Sequence, residues 1–69
     1  MSVYRVIDVI GTSETSWEDA AAEAIRTARS SVRDVRIAEV VQQDVQVSEG
    51  DRLVFRTKLR LSFKYEQGG

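Results

Sequence analysis

Basic side chains occupy alternate positions near the C-terminal end of this sequence, and they are its clearest source of chemistry. Residues so spaced share one face of an extended strand, and five of them do so here: Arg52, Arg56, Lys58, Arg60 and Lys64. Guanidinium and ammonium groups bind phosphates and other anions, or they pair with carboxylates of the same sheet. The formal net charge of the chain is only −1, which favours a solvated or ion-paired face over an anion-binding one.

Catalytic chemistry has few candidates in this chain. Histidine and cysteine are both absent, and no serine stands beside a plausible general base, so we predict that the protein is not an enzyme. The same absences exclude disulfides and an ordinary zinc site, but they leave open a hard cation held by oxygen ligands. The near-zero net charge argues against nucleic-acid or membrane-surface binding, and no apolar run approaches the roughly 20 residues of a membrane span. We expect a cytoplasmic protein.

Four elements must position these side chains. Residues 3–10 are predicted to form a strand of mostly β-branched residues, apolar on both faces, and both faces of such a strand are usually covered. Residues 17–32 show the three- and four-residue spacing of an amphipathic helix. Residues 35–47 and 52–65 are two further strands, joined by a four-residue turn at 48–51. A single domain of 69 residues has a small core, so we expect a second subunit to supply the missing cover.

The junction between the first strand and the helix has a specific pattern. Gly11 is expected to let the backbone leave the strand at dihedral angles that other residues avoid. Ser16 is placed to cap the first helical turn, and Glu18 and Asp19 put negative charge at the positive end of the helix dipole. Ser16 and Asp19 also have the spacing of a capping box. These features predict that the helix begins at Trp17.

The order of the elements predicts an α+β fold. Strands two and three form an antiparallel hairpin, and the helical crossover leaves strands one and two parallel, so the sheet order is 1-3-2 with the helix on one face. The four-residue turn predicts the pairs Val47–Arg52, Gln43–Arg56, Val41–Lys58, Glu39–Arg60 and Ile37–Ser62. In this register one face of strand two joins the basic residues, namely Ile37, Glu39, Val41, Gln43 and Val45. A face that mixes apolar and charged residues suits a polar subunit interface or a small-ligand site.

Several segments, taken in order, resemble the dodecins, small proteins that assemble into hollow shells of twelve subunits. The segments are residues 6–13, 16–20, 39–41 and 59–63, with the sequences VIDVIGTS, SWEDA, EVV and LRLSF. The resemblance covers nearly the whole chain. It implies a single dodecin-like β-α-β-β domain over residues 1–66, with a three-stranded antiparallel sheet wrapped on one helix, in a homododecameric shell. Residues 67–69 are expected to form a flexible tail.

The best-known activity of the dodecins is flavin binding, in which pairs of isoalloxazine rings stack at a two-fold subunit interface. A strand-two tryptophan stacks on the ring, and a strand-three glutamine hydrogen-bonds its polar edge. The matching positions here are Ile37 and Arg56. Ile37 has no aromatic face, which loses a stacking contribution of about 0.5–1.5 kcal/mol, and Arg56 donates hydrogen bonds but accepts none. The resemblance therefore implies an altered site for FMN or riboflavin. Trp17 lies on the helix stripe, so we expect it in the core or at an interface.

A second branch of the dodecins is more similar to this chain. Its members resemble residues 3–4, 6–8, 15–18, 20–24 and 43–44, they also lack the stacking tryptophan, and they have been associated with calcium. Calcium takes roughly six to eight oxygen ligands, and this chain has no EF-hand loop, so a site would be shared between subunits. Such a site would use carboxylates such as Asp8, Glu39 or Asp44, together with backbone carbonyls or residues of symmetry-related subunits. The alternative is that these carboxylates form ion pairs with the basic strand.

Three functions are open on these grounds. The first is a dodecin-like homododecamer that binds or stores a small ligand at an altered flavin site, with calcium as the candidate ligand. The second is a flavin-binding dodecin that stores or sequesters FMN or riboflavin, using Arg56 and a different stacking partner. The third is a structural shell with no ligand of its own. All three involve self-association of the chain, and none involves nucleic acid or a membrane.

Overall fold

The computed structural model describes residues 2–64, and its elements occur in the order predicted from the sequence. β1 spans Tyr4–Ser13, α1 spans Trp17–Arg29, β2 spans Val35–Val47 and β3 spans Leu53–Lys64. The bounds of β2 match the prediction, whereas β1 continues three residues further and α1 ends three residues earlier. The predicted domain boundary at residue 66 and the tail at 67–69 lie outside the described residues. Within residues 2–64, no helix has the length and apolarity needed to cross a membrane.

The three strands form one antiparallel sheet in the order β1-β3-β2, which confirms the predicted topology. The helix packs on one face of this sheet. We call the opposite face, on which no other described element packs, the open face. The buried apolar core under the helix is small, and its members are Ala20, Ala24, Leu59 and Leu61. Small helix residues in this core bring the helix close to the sheet.

Gly11 serves a close contact rather than unusual dihedral angles. It lies inside β1, and of the two described glycines only Gly50 has a positive φ. A Cβ atom at Gly11 would overlap the carbonyl oxygen of Ala20 and would lie 2.9 Å from Cβ of Ala24. The helix therefore packs directly on the backbone of the strand. The prediction that Gly11 ends the strand through its dihedral freedom is wrong.

Ser16 caps the helix as predicted. Its hydroxyl accepts a hydrogen bond from the backbone N–H of Asp19 at 3.0 Å. The Asp19 carboxylate accepts a hydrogen bond from the Ser13 hydroxyl at 2.8 Å. Glu18 and Asp19 both lie in the first helical turn, where their charge interacts favourably with the helix dipole. The Ser13 contact ties the last residue of β1 to the start of the helix.

The β2–β3 hairpin differs from the predicted register at its turn. The loop has five residues, 48–52, rather than four. The backbone N–H of Ser48 donates to the carbonyl of Arg52 at 3.1 Å, and Gly50 takes a φ of 76° that glycine adopts without strain. The first strand pair is therefore Val47 with Leu53, and the predicted pair of Val47 with Arg52 is wrong.

A β-bulge at Val41 adds one residue to β2 and shifts the register again. Between the turn and this bulge the predicted pairs Val41–Lys58 and Gln43–Arg56 are wrong, and the observed pairs are Gln42–Lys58 and Asp44–Arg56. Beyond the bulge the extra loop residue and the extra strand residue cancel. The predicted pairs Ile37–Ser62 and Glu39–Arg60 are therefore confirmed. A second irregularity follows at Arg36, between Val35 and Ile37.

The corrected register changes which side chains of β2 share a face. Gln43 and Val45 lie opposite Thr57 and Phe55 on the helix side of the sheet, and they do not join the basic residues as predicted. Their places on the open face are taken by Gln42, Asp44 and Gln46. A shift of one residue has this effect because successive side chains of a strand alternate between the two faces.

Candidate metal and ligand site on the open face

The open face has rows of side chains that cross all three strands. β3 supplies the central residue of each row, and β1 and β2 supply one neighbour each. The basic residues of β3 therefore stand between side chains of the two outer strands. From one end of the face to the other, the rows are Val6–Ser62–Ile37, Asp8–Arg60–Glu39, Ile10–Lys58–Gln42 and Thr12–Arg56–Asp44.

Asp8 and Glu39 flank Arg60 in one of these rows. The Arg60 guanidinium donates two hydrogen bonds to the Asp8 carboxylate, at 3.1 and 3.5 Å. These hydrogen bonds lower the pKa of Asp8, against the opposing effect of desolvation, and the positive charges of Arg60 and Lys58 add to the lowering. The same hydrogen bonds are the main cause of the raised pKa of Arg60, to which the charge of Glu39 contributes least. Among the described residues, Glu39 has no hydrogen-bond partner for its exposed carboxylate.

Asp44 is held more tightly than Asp8. The Arg56 guanidinium donates two hydrogen bonds to its carboxylate, both at 2.7 Å, in a bidentate arrangement. These bonds lower the pKa of Asp44, and they raise the pKa of Arg56. The backbone carbonyl of Asp44 also accepts a hydrogen bond from Trp17 Nε1 at 3.0 Å. Both the side chain and the backbone of Asp44 are therefore fixed in position.

The structure brings together two of the three predicted metal ligands. Asp8 and Glu39 lie in one row, on opposite sides of Arg60. Asp44 pairs with Arg56, which is four residues along β3 from Arg60. Its row is therefore about 13 Å from the row of Asp8 and Glu39. Within residues 2–64 we find no group of three acidic side chains close enough together to hold a metal ion. The ion pairs considered as the alternative from the sequence are formed by Asp8 and by Asp44.

The two positions that match the flavin residues of the dodecins lie far apart in one subunit. Ile37 pairs with Ser62, six residues along β3 from Arg56, which corresponds to about 20 Å. Ile37 is 61% exposed, and the Arg56 guanidinium is engaged by Asp44. Both residues lie on the open face. A single ligand could contact both only across an interface between two copies of the chain.

The sequence did not reveal two contacts that organise this region. The Asp44–Arg56 pair was missed because the assumed four-residue turn placed Gln43 opposite Arg56. The contact of Trp17 with Phe55, edge to face at 5.3 Å between ring centroids, was missed because the helical spacing does not give the position of the helix along the sheet. The available signal was Gly50 within a run of polar residues. It predicts a turn, but it fits a turn of four or of five residues equally well and so does not fix the register.

The donor set fits calcium in chemical type. Carboxylate oxygens are the ligands that this cation prefers, and the lowered pKa of Asp8 keeps its carboxylate ionised near neutral pH. The Arg60 guanidinium stands between Asp8 and Glu39, so the two carboxylates can share a cation only if that guanidinium moves aside. The Arg60 side chain is 46% exposed, which leaves it room to do so.

The topology, the helix packed on Gly11 and the charged open face together define a known class of protein. The sequence profile of the Dodecin family matches residues 3–66, and the chain belongs to this family. Dodecins are binding proteins without enzymatic activity, in line with the prediction from the sequence.

The chain is similar to calcium dodecin and to other dodecins. The chain is 58% identical over 64 residues to the calcium dodecin of Mycobacterium tuberculosis, covering 93% of this chain and 90% of that protein. It superposes with a TM-score of 0.88 and 53% identity on the crystal structure of the calcium-chelating antigen of that species, a calcium dodecin with a novel calcium-binding site, covering 99% and 97% of the two chains. It superposes with a TM-score of 0.90 and 30% identity on the dodecin of Streptomyces coelicolor, covering 97% and 96%.

Proposed function

We propose that this dodecin binds calcium on the open face of its sheet, in a shell of twelve subunits. The observation that carries the proposal is the row formed by Asp8, Arg60 and Glu39. In this row the exposed Glu39 carboxylate, which has no hydrogen-bond partner among residues 2–64, lies across one strand from the Asp8 carboxylate. The similarity to the calcium dodecin of M. tuberculosis supports the same ligand.

The hydrogen-bond lengths rank the three candidate ligands. Glu39 needs to give up no hydrogen bond within the described chain to bind a cation. Asp8 must give up bonds of 3.1 and 3.5 Å to Arg60, whereas Asp44 must give up two bonds of 2.7 Å to Arg56. Shorter charge-assisted bonds are stronger. We therefore expect Glu39 and Asp8 to contribute more to calcium affinity than Asp44 does.

The coordination number of calcium requires ligands beyond these two side chains. Two carboxylates supply at most four oxygen atoms, and calcium takes roughly six to eight. The open face also has apolar side chains that a second copy of the chain would cover, among them Val6, Ile10 and Ile37, each more than half exposed. The remaining oxygen ligands would then come from that second copy, from backbone carbonyls and from water.

The self-association that we propose follows from the small size of the core. Among residues 2–64 of the isolated chain, four apolar residues are buried and nine large apolar residues are exposed. Burial of apolar surface stabilises a fold by about 25 cal/mol per Å², so covering those that lie on the open face, such as Val6, Ile10 and Ile37, would add stabilisation. Membership of the dodecin family supports twelve as the number of copies.

Calcium titration of the purified protein tests the proposal. After treatment with a chelator, added Ca²⁺ should raise the thermal midpoint of the wild type, since a ligand at one hundred times its Kd stabilises by about 2.7 kcal/mol. The variants Glu39→Gln and Asp8→Asn should weaken calcium binding at least about tenfold. Isothermal titration calorimetry measures both affinities.

The matched control is Glu23→Gln, which removes a carboxylate that pairs with Arg26 on the outer face of the helix. This variant should bind calcium as the wild type does. A wild type that neither binds calcium nor melts at a higher temperature in its presence would disprove the function. Calcium binding that survives in both site variants would instead move the site away from the Asp8–Glu39 row.

The two alternative functions have distinct signatures in the same preparation. A flavin dodecin would be purified as a yellow particle, and a purely structural shell would be colourless and would melt at the same temperature with and without calcium. We expect a colourless particle that responds to calcium. The cytoplasmic location expected from the composition stays a prediction.

A further inference from the structure

Three arginines surround an open cavity where the helix ends and β2 begins. Arg29 is in the last turn of the helix, Arg33 lies in the loop that follows, and Arg36 lies at the irregular start of β2. They line a cavity of 440 Å³ together with Asp34. We call Arg29, Arg33 and Arg36 the arginine cluster. None of its members contacts the open face residues of the proposed calcium site.

The arginine cluster differs from most other arginines of the chain, which have carboxylate partners. Four arginines elsewhere each pair with an acidic residue: Arg26, Arg52, Arg56 and Arg60. Within residues 2–64 the three members of the cluster form no ion pair and no side-chain hydrogen bond. Like charges that share a small cavity repel one another. A bound anion would relieve that repulsion.

The helix dipole explains only part of this cluster. A cation in the last helical turn is favourable, and this accounts for Arg29. Arg33 and Arg36 lie beyond the helix. The dipole places about half a negative charge at this end, and Asp34 adds one more. Against three guanidinium groups this leaves a net charge of about +1.5, so the cavity stays attractive to anions.

The bulge at Arg36 changes the direction of the Arg36 side chain from the one that a regular strand would give it. Arg36 has no partner in β3, because Val35 pairs with Phe63 and Ile37 with Ser62. β-bulges commonly re-aim a side chain beside a functional site. Asp34, with a φ of 60°, makes the turn into this segment. Turn and bulge together place Arg33 and Arg36 on the same cavity.

The cavity also has an apolar wall. Ile25, Val32, Val35, Ile37 and Ala38 line it beside the arginines. Val32 and Val35 are half-buried in this wall, so part of their apolar surface is open to a ligand. Guanidinium groups match the oxygens of a phosphate in a bidentate manner, and the apolar wall matches a carbon skeleton.

We propose that the arginine cluster is a binding site for an organic phosphate monoester, separate from the calcium site. The phosphate binds between Arg29, Arg33 and Arg36, and the organic group packs against Val32 and Val35. An inorganic phosphate ion binds the same guanidinium groups more weakly, because it lacks the organic group.

Binding of phenyl phosphate to the full chain tests the proposal. In chelator-containing buffer, so that calcium phosphate cannot form, phenyl phosphate should bind more tightly than inorganic phosphate, and phenol should not bind. Loss of charge-assisted hydrogen bonds in Arg33→Gln or Arg36→Gln should weaken binding about tenfold. Binding should also weaken as salt is raised, because exposed charges are screened. Broadening of the ³¹P resonance and calorimetry give the affinities.

Arg52→Gln is the matched control, because it removes an exposed arginine that pairs with Glu14 near the other end of the helix. It should bind phenyl phosphate as the wild type does. Absence of binding by the wild type overturns the proposal, and so does equal weakening in the control. If a cluster variant breaks the assembly while the wild type ignores phosphate, the arginines are interface residues and the proposal is wrong. The wild-type titration decides the matter even if the variants fold poorly.

Discussion

At the residue scale, Gly11 shows how one missing atom sets the distance between helix and sheet. The helix backbone at Ala20 and the side chain of Ala24 occupy the space that a Cβ at Gly11 would need. Gly50 is a glycine for the opposite reason. A Cβ atom there would have free space around it, but the φ of 76° is a backbone conformation that other residues disfavour. The two positions separate a packing constraint from a conformational one.

Gly11→Ala should destabilise the fold far more than Gly50→Ala. The added methyl group overlaps helix backbone, which must move, and overpacking of this kind costs about 3 kcal/mol or more. Gly50→Ala should cost about 1 kcal/mol from its positive φ, and Gly50→Asn should recover most of that loss. Urea unfolding measures all three. Equal losses at the two glycines would contradict the close packing at Gly11.

Also at this scale, the Asp44–Arg56 pair makes stability depend on pH. The hydrogen bonds from Arg56 lower the pKa of Asp44 in the folded state. The unfolded value is about 3.9, so the contribution of the pair is complete above this pH and is lost as the pH falls through the lower folded value. Asp44→Asn should therefore lose less stability than the wild type between neutral pH and pH 2.

Thermal midpoints across this pH range measure the difference. Arg56→Gln is the control, because it removes the cause of the lowered pKa while leaving the carboxylate in place, and it should flatten the acid limb in the same way. Parallel acid limbs for the wild type and both variants would contradict the assignment.

At the scale of elements, the helix is anchored to the sheet at its N-terminal end. Trp17 donates its indole N–H to the Asp44 carbonyl, packs edge to face on Phe55, and accepts a hydrogen bond from the Thr57 hydroxyl on its own carbonyl. These contacts join the helix to both strands of the hairpin. The five-residue loop sets the register of this part of β2, in which Val45 and not Asp44 faces the helix.

Two substitutions at Trp17 should separate the contribution of its indole hydrogen bond from that of its ring. Trp17→Phe keeps an aromatic ring and loses one hydrogen bond, which should cost about 0.5–1.5 kcal/mol. Trp17→Ala loses the ring as well, which should cost about 3–5 kcal/mol. Denaturation followed by circular dichroism is the measurement, since the chain has no second tryptophan for fluorescence. Similar losses in both variants would mean that the hydrogen bond, not the ring, dominates.

At the scale of the whole molecule, the isolated chain is elongated and poorly covered. It measures 52 by 20 by 15 Å, and only four apolar residues of the described part of the chain are buried. The open face has exposed apolar side chains interleaved with ion pairs, which is the composition of a subunit interface rather than of a solvated sheet. The fold is therefore expected to depend on contacts between copies.

Ile37→Lys should reduce the mass of the assembly. A lysine at this 61%-exposed position of the open face would bury a charge in the proposed interface, which is costly without a partner. Light scattering should give twelve times the 7.8 kDa chain mass for the wild type and a smaller particle for the variant. Thr27→Lys, at an exposed position of the helix, is the control and should leave the particle mass unchanged. A wild-type monomer would contradict the proposed shell.

The sequence by itself determined the elements, their order and the sheet topology. β-branched runs, the helical spacing of small apolar residues and the cap at Ser16 are local signals, and local preferences were enough to define them. The absence of histidine and cysteine likewise limited the chemistry to oxygen ligands and charged groups. Asp8, Glu39 and Arg60 were placed correctly because two one-residue errors in the hairpin cancelled.

Only the tertiary structure decided the partners of individual side chains. The five-residue loop and the bulges at Val41 and Arg36 shift the register of β2 against β3, and a shift of one residue exchanges the faces of a strand. This is why the pairing of Asp44 with Arg56 and the gathering of three arginines at the end of the helix were not visible in the sequence. The physical reason is the two-residue period of a strand, in which a single inserted residue reverses every neighbour beyond it.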